Sequence, residues 1–194
     1  MGGQTTDREV IAGSAGAPGD FAAIFDRHFD AVYGYLQRRI GRDLAEELAA
    51  ETFLVAFDNR GRFDSARGGA RPWLLGIATN LLRHHSRREV RELRAYARSA
   101  ADPVLDAFDG IEERLDASGE RRRLIEGLAE LSAPERDALL LAAWADLSYA
   151  EIATALEIPV GTVRSRLSRA RERIVASLGA APQALQPQRD REGR

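Results

Sequence analysis

The stretch Ser148–Ile174, SYAEIATALEIPVGTVRSRLSRARERI, decides the fold. Ser148 and Glu151 form a capping box, the hydroxyl accepting from the Glu151 backbone N–H while the carboxylate reaches back, so a short helix opens here. Ile152, Ala153 and Leu156 give it one apolar face. Glu157, Ile158 and Pro159 then break it, because Pro159 has no backbone donor and pushes Ile158 out of helical angles. A second helix follows at once. Val163, Leu167 and Ala170 recur at helical spacing on its inner side and leave Arg164, Ser165, Ser168, Arg169 and Arg171 facing mainly outward. Two helices, a tight turn and an arginine-rich second helix make a helix-turn-helix, the motif that lays its second helix in the major groove of DNA.

Charge separates this reading from that of an ordinary solvated helix. Arg164, Arg166, Arg169, Arg171 and Arg173 stand against the single Glu172, in a chain of formal charge -2. A pI near 6.0 opposes indiscriminate binding to nucleic acid, so contact has to come from local patches of this kind. All 28 basic residues are arginine. There is no cysteine, hence no disulfide and no thiolate metal site. No apolar run approaches the roughly 18 residues of a membrane span and the N-terminus has no signal-peptide core, so a cytoplasmic protein without membrane insertion is expected.

Upstream, Leu124, Ile125, Leu128 and Leu131 form one stripe, and a second capping box, Ser132 with Glu135, opens another through Ala138, Leu139, Leu141, Ala142 and Trp144. These two helices complete a four-helix domain over 120–178, followed by a flexible tail at 179–194. Near the other end, the glycines of residues 1–19 predict a disordered lead. From residue 20 the pattern turns helical. Phe21, Ile24, Phe25, Phe29, Val32, Tyr33 and Leu36 form a first stripe, which Gly41 ends. Leu44, Leu48, Thr52, Phe53, Val55 and Ala56 form a second, with Glu46, Glu47 and Glu51 on its outer face. A third helix carries Trp73, Leu74, Ile77, Ala78 and Leu81 inward and clusters Arg83, Arg87 and Arg88 near its end. Three helices of this length enclose a small core over 20–88. Residues 89–119 then read as a linker, of which 88–100 could extend the third helix. No strand alternation appears, so the fold class is all-α, with two small helical domains joined by a linker.

No catalytic constellation emerges. His28, His84 and His85 are the only histidines, and the last two point about 100° apart on a helix, which argues against a shared metal. The acids of the second helix have no nucleophile, metal ligand or phosphate loop beside them and read better as a docking face. The loop Phe63–Arg71, FDSARGGAR, lies between two rigid helices and ahead of a basic helix end, where backbone and side chains can meet a base flipped out of single-stranded DNA.

In this order and spacing, DLAEELAAETFLVAF (43–57), RPWLLGIATNLLRHHSRR (71–88) and LSYAEIATALEIPVGTVRSRLSRARERI (147–174) resemble an extracytoplasmic-function sigma factor of the sigma-70 family, the promoter-specificity subunit of bacterial RNA polymerase. The resemblance implies that 20–88 is similar to sigma domain two and 120–178 to sigma domain four. By it, Glu46, Glu47, Glu51, Thr52 and Phe53 dock on core polymerase. Asp64, Ser65, Arg67 and Arg71, with Asn80, Arg83, Arg87 and Arg88, meet the melted minus-10 element, and Arg164, Ser165, Ser168, Arg169 and Arg171 read the minus-35 element. It further implies core RNA polymerase (clamp helices and flap), promoter DNA and an anti-sigma factor as partners, no cofactor and no enzymatic activity. His84 stands where the family pattern often carries an acid. Two other readings fit the helix-turn-helix: a stand-alone transcription regulator that binds an operator as a dimer, and a helical adaptor whose arginine faces meet acidic proteins.

Overall fold

The computed structural model describes residues 5–98 and 119–179. Among these residues every regular element is helical, as the patterning predicts. The α-helices are α1 (Asp7–Gly13), α2 (Ala22–Ile40), α3 (Arg42–Asp58), α4 (Ala70–His84), α5 (Ser86–Arg98), α6 (Gly119–Glu130), α7 (Ala133–Trp144), α8 (Tyr149–Leu156) and α9 (Val160–Leu178). Short 3-10 turns lie at Pro18–Phe21 and Arg60–Arg62.

Helices α2, α3 and α4 enclose the first core, with Ile24, Val32, Leu36 and Ile40 facing Leu48, Ala49, Leu74, Leu75 and Leu82, all buried. The phase of two stripes differs from the sequence reading. On α2, Tyr35 is buried, whereas Phe29 and Tyr33 are half-buried and Phe25 is exposed. These three rings lie instead along the seam with α3, where Phe25 and Phe53 are 4.8 Å apart between centroids and Phe29 stacks on Tyr33. On α4 the buried side is Leu74, Leu75, Ala78, Thr79 and Leu82, and Trp73, Ile77 and Leu81 lie half-buried at its edge.

Three expectations are corrected. The lead is helical over Asp7–Gly13 because Thr6 and Glu9 form a capping box and Val10 and Ile11 are buried, so a local apolar pair outweighs the glycines around it. Asp7 pairs with Arg27 at 2.8 Å and with His28 at 2.7 Å, fastening α1 to α2. The third helix does not run to Arg88: it stops at His84, and α5 starts afresh at Ser86. The helix allowed for 88–100 is present up to Arg98, but Glu89, Leu93 and Ala97 are buried, so residues 89–98 belong to the packed helices and not to the linker expected from residue 89. Its residues 99–118, and the tail from 180, lie outside the described residues.

The second core is built from α6 to α9 around Ile125, Leu128, Leu140, Leu141, Ile152, Val163, Leu167 and Ala170. Both capping boxes form. Glu151 N–H donates to Ser148 Oγ at 3.3 Å, and Ser132 Oγ donates to the Glu135 carboxylate at 2.6 Å. The two cores also pack on each other, α4 against α8 and α5 against α6.

Candidate nucleic-acid interface

The turn of the helix-turn-helix is made by Glu157, which adopts left-handed angles (φ 53°, ψ 45°) and closes α8, and by Pro159, the N-cap of α9. On α9, Val163, Leu167, Ala170 and Ile174 are buried, so Arg164, Ser165, Ser168 and Arg169 stand exposed along the opposite face. Ser165 donates to the Thr162 carbonyl at 3.0 Å and Ser168 to Glu172 at 2.9 Å. Arg171 is half-buried and donates to the Tyr149 hydroxyl at 3.2 Å, which turns it toward α8 and away from the other four.

Glu135, read in sequence only as a capping residue, braces this helix. Its buried carboxylate takes the Ser132 hydroxyl, the Arg173 guanidinium at 2.5 Å and Arg169 Nε at 3.6 Å. The Ser132 hydrogen bond, with the charges of Arg173 and Arg169, holds its pKa below the ordinary glutamate value against the opposing effect of burial.

The loop between α3 and α4 bends at Asp64, whose Oδ1 accepts the Ala66 N–H at 2.9 Å, and at Gly68, which has a φ of 154°. Phe63 and Trp73 pack at 5.1 Å beside it and line an open cleft of about 230 Å³, together with Val55, Arg62, Arg67 and Ile77. Asp64, Arg67 and Arg71 are exposed and Ser65 is half-buried. Asn80 accepts from Arg83 at 2.8 Å, so these two act together on α4. Arg87 and Arg88 stand beyond the break at His85, on α5, with Arg88 3.9 Å from Glu92.

On α3, Glu46, Glu47 and Glu51 are exposed in a row with Leu54, which is 65% exposed. Thr52 and Phe53 are not on that face. Thr52 is fully buried and donates to the Leu48 carbonyl, and Phe53 belongs to the aromatic seam, so neither forms a contact surface. Their helical positions fall three and four residues from Ala49 and Ala56, on the inner side.

A buried cluster links the two cores. Arg39 of α2, 1% exposed, donates to Glu89 of α5 at 2.6 Å and to Asp137 of α7 at 2.7 Å. Arg136 of α7 lies 3.3 Å from Glu89 and donates to the Leu131 carbonyl that ends α6. Tyr35 hydrogen-bonds Thr79 and receives Arg39; burial pushes its pKa up to about 12. Burial opposes the Arg39 charge, but Tyr35, Glu89 and Asp137 outweigh it and raise its pKa. One signal in the sequence was available: Arg39 lies seven residues after Val32, on the same apolar stripe.

Residues 24–92 match sigma-70 region 2 and residues 121–174 match sigma-70 region 4. A probable RNA polymerase sigma-C factor from Mycobacterium bovis is 38% identical over 136 residues, which cover 68% of this chain and 69% of that protein. This chain belongs to the extracytoplasmic-function sigma factors of the sigma-70 family. The sigma factor SigK of Mycobacterium tuberculosis is 34% identical over 153 residues, covering 76% of this chain and 79% of its own. Among solved structures, CnrH in complex with the cytosolic domain of CnrY superposes with a TM-score of 0.63 at 24% identity, covering 89% of this chain and 97% of CnrH. RpoE from Bartonella quintana, in complex with the anti-sigma factor NepR, gives 0.56 at 26% identity, covering 82% and 97%. The protein is therefore an RNA polymerase sigma factor that directs core enzyme to promoters. With both regions present in family order, the stand-alone regulator and the adaptor are not favoured. Among the described residues no helix is long and apolar enough to cross a membrane.

Proposed function

We propose that this sigma factor divides its work between two units, 20–98 for polymerase docking and the minus-10 element and 119–178 for the minus-35 element. The exposed face of α9 carries this reading: Arg164, Ser165, Ser168 and Arg169 point away from a buried Val163–Leu167–Ala170–Ile174 side. Arginine in a major groove reads guanine edges, and each such contact contributes about 1–3 kcal/mol. Arg171 takes a packing or phosphate role, in keeping with its bond to Tyr149.

Glu46, Glu47 and Glu51 supply the charged contacts to the clamp helices of core polymerase and Leu54 the apolar one, while Thr52 and Phe53 support that face from within. Asp64, Ser65, Arg67 and Arg71 hold a base extruded from the minus-10 element against the Phe63–Trp73 cleft, and Asn80, Arg83, Arg87 and Arg88 follow the melted strand. Neither unit binds tightly alone, because phosphate contacts are screened by salt. Polymerase tethers both, making the second contact intramolecular. The chain itself is not an enzyme; it acts in the cytoplasm, where polymerase is, and an anti-sigma factor holds it, as the complexes of CnrH with CnrY and of RpoE with NepR suggest.

The test is transcription by bacterial core polymerase, mixed with the purified chain, on a genomic DNA library. Discrete starts that share two spaced elements are expected. No association with core enzyme, together with duplex binding by the chain alone, would overturn the assignment of these faces.

A further inference from the structure

Glu135 lies where the start of α7 meets the flank of α9, and it is 6% exposed. Its Oε2 accepts from the Ser132 hydroxyl at 2.6 Å, from the Ser132 N–H at 3.3 Å and from the Arg173 guanidinium at 2.5 Å. Three donors on one oxygen fix the carboxylate. The other oxygen, Oε1, is 3.6 Å from Arg169 Nε. Arg169 and Arg173 are four residues apart on α9, so both reach this carboxylate from one face of the helix. They differ in what they keep free. Arg173 donates a hydrogen bond, whereas Arg169 is too distant to donate one; it is held by charge alone and its side chain stays 58% exposed. A guanidinium carries five donors in a rigid fork, and guanine takes two of them at O6 and N7. An ion pair on the Nε side therefore orients the fork without consuming its outer nitrogens. A capping box does not require such a pair. Glu151 caps α8 through the same bonds to Ser148 and, among the described residues, pairs with no arginine.

We infer that Glu135 is a positioning residue for promoter recognition: fixed by Ser132 and Arg173, it orients Arg169 toward its base pair in the minus-35 element. The inference rests on α9 being the minus-35 reader, as proposed above. An arginine on an open helix face samples many rotamers, and all but one are lost when it binds a base edge. Holding the side chain near its bound geometry removes part of that cost beforehand. A guanidinium restrained on one side also follows a displaced or altered base less readily than one free to swing, so the gain falls in discrimination between base pairs. Arg164 lies nearer the start of α9 and has no ion pair among the described residues, so this restraint singles out Arg169.

The test uses holoenzyme assembled from core polymerase and the full chain, on a promoter taken from the mapped starts. Each minus-35 base pair is replaced in turn, and transcription is divided by that from the parent promoter. Arg169→Ala is expected to abolish discrimination at one or two of these base pairs, which marks where Arg169 reads. Glu135→Gln keeps the size and removes the charge. It is expected to weaken discrimination at those same base pairs by roughly 2- to 10-fold, as for residues in direct contact, and to leave the others unchanged, including those that Arg164→Ala affects. A profile that Glu135→Gln leaves intact, or one that it flattens evenly at every base pair as a loosened fold would, overturns the inference. Ser132→Ala provides a second measure, because it retains the carboxylate and its charge but deletes the hydroxyl that fixes it. A smaller loss at the same base pairs is expected; an unchanged or evenly flattened profile counts against positioning. The underlying reading fails separately. Arg169→Ala with every minus-35 preference intact would show that Arg169 reads no base, whereas a loss seen in Arg169→Ala and absent from Glu135→Gln removes the role of Glu135 alone.

Discussion

Gly76 of α4 lies so close to α8 that a Cβ on it would stand 2.3 Å from the Ala155 carbonyl oxygen. No methyl group fits there, and the obstacle is backbone that cannot rotate aside. Gly76→Ala is therefore expected to separate the two helices without unfolding either, since alanine favours a helix interior over glycine by about 1 kcal/mol. Small-angle scattering should report a larger radius of gyration with unchanged helical circular dichroism. An unchanged radius would show that α4 and α8 do not meet in solution.

Arg39 should be the most costly arginine to remove. Arg39→Ala leaves Glu89 and Asp137 buried and short of a partner, a loss of about 3–5 kcal/mol by the usual cost of breaking a buried pair. Arg83 also reaches Asp137, but at 3.5 Å and with 47% of its side chain exposed, so Arg83→Ala should cost less than about 1 kcal/mol. Urea unfolding of the two variants side by side checks the contrast, and equal midpoints would refute it.

The comparison of these two arginines shows where sequence reading stops. Apolar periodicity and capping boxes located α2, α3, α4, α8 and α9, because those signals act within a few residues of one another. The exposed faces of Glu46, Glu47 and Glu51 and of Arg164 and Arg169 follow from the same periodicity by exclusion. What periodicity does not carry is a contact between positions far apart in the chain. Arg39 with Asp137, and the Thr154 hydroxyl with the Arg67 backbone carbonyl, are separated by 98 and 87 residues, so even where Arg39 falls on an apolar stripe no local pattern names its partner. Thr52 and Phe53 carry two readings from the sequence: periodicity puts them on the inward stripe of α3, where the structure buries both, and only the motif match sets them beside the docking glutamates, because a motif match does not say which of its residues point outward.

Glu135 gives a pH signature. Its folded pKa is lowered from 4.5, first by the Ser132 hydroxyl and then by Arg173 and Arg169. A carboxyl with a lowered folded pKa contributes stability that is present above its unfolded value and disappears as pH falls through the folded one. Glu135→Gln should therefore melt below the parent chain at neutral pH, and the gap should close as the pH drops below about 4.5. Melting curves at several pH values measure it. A gap that stays constant would mean that the carboxylate charge does not brace α9.

The recognition and docking faces should be separable by mutation. Arg164 and Arg169 are exposed on one side of α9 and make no part of either core, so replacing each with alanine should leave the fold intact. Loss of a good base contact costs about 1–3 kcal/mol, which is roughly 5- to 150-fold in minus-35 affinity. The two need not be equal, because Arg169 is already partly engaged by Glu135 at 3.6 Å and Arg164 lies one turn nearer the helix start. Glu47→Arg reverses charge on the α3 face instead and should abolish co-purification with core polymerase while leaving binding to minus-35 duplex unchanged. Fluorescence anisotropy with duplex DNA, paired with a polymerase pull-down, reads both arms at once. The arginine variants should fail only in the first assay and the glutamate variant only in the second; loss of both activities in any one variant would mean that the two faces are not independent.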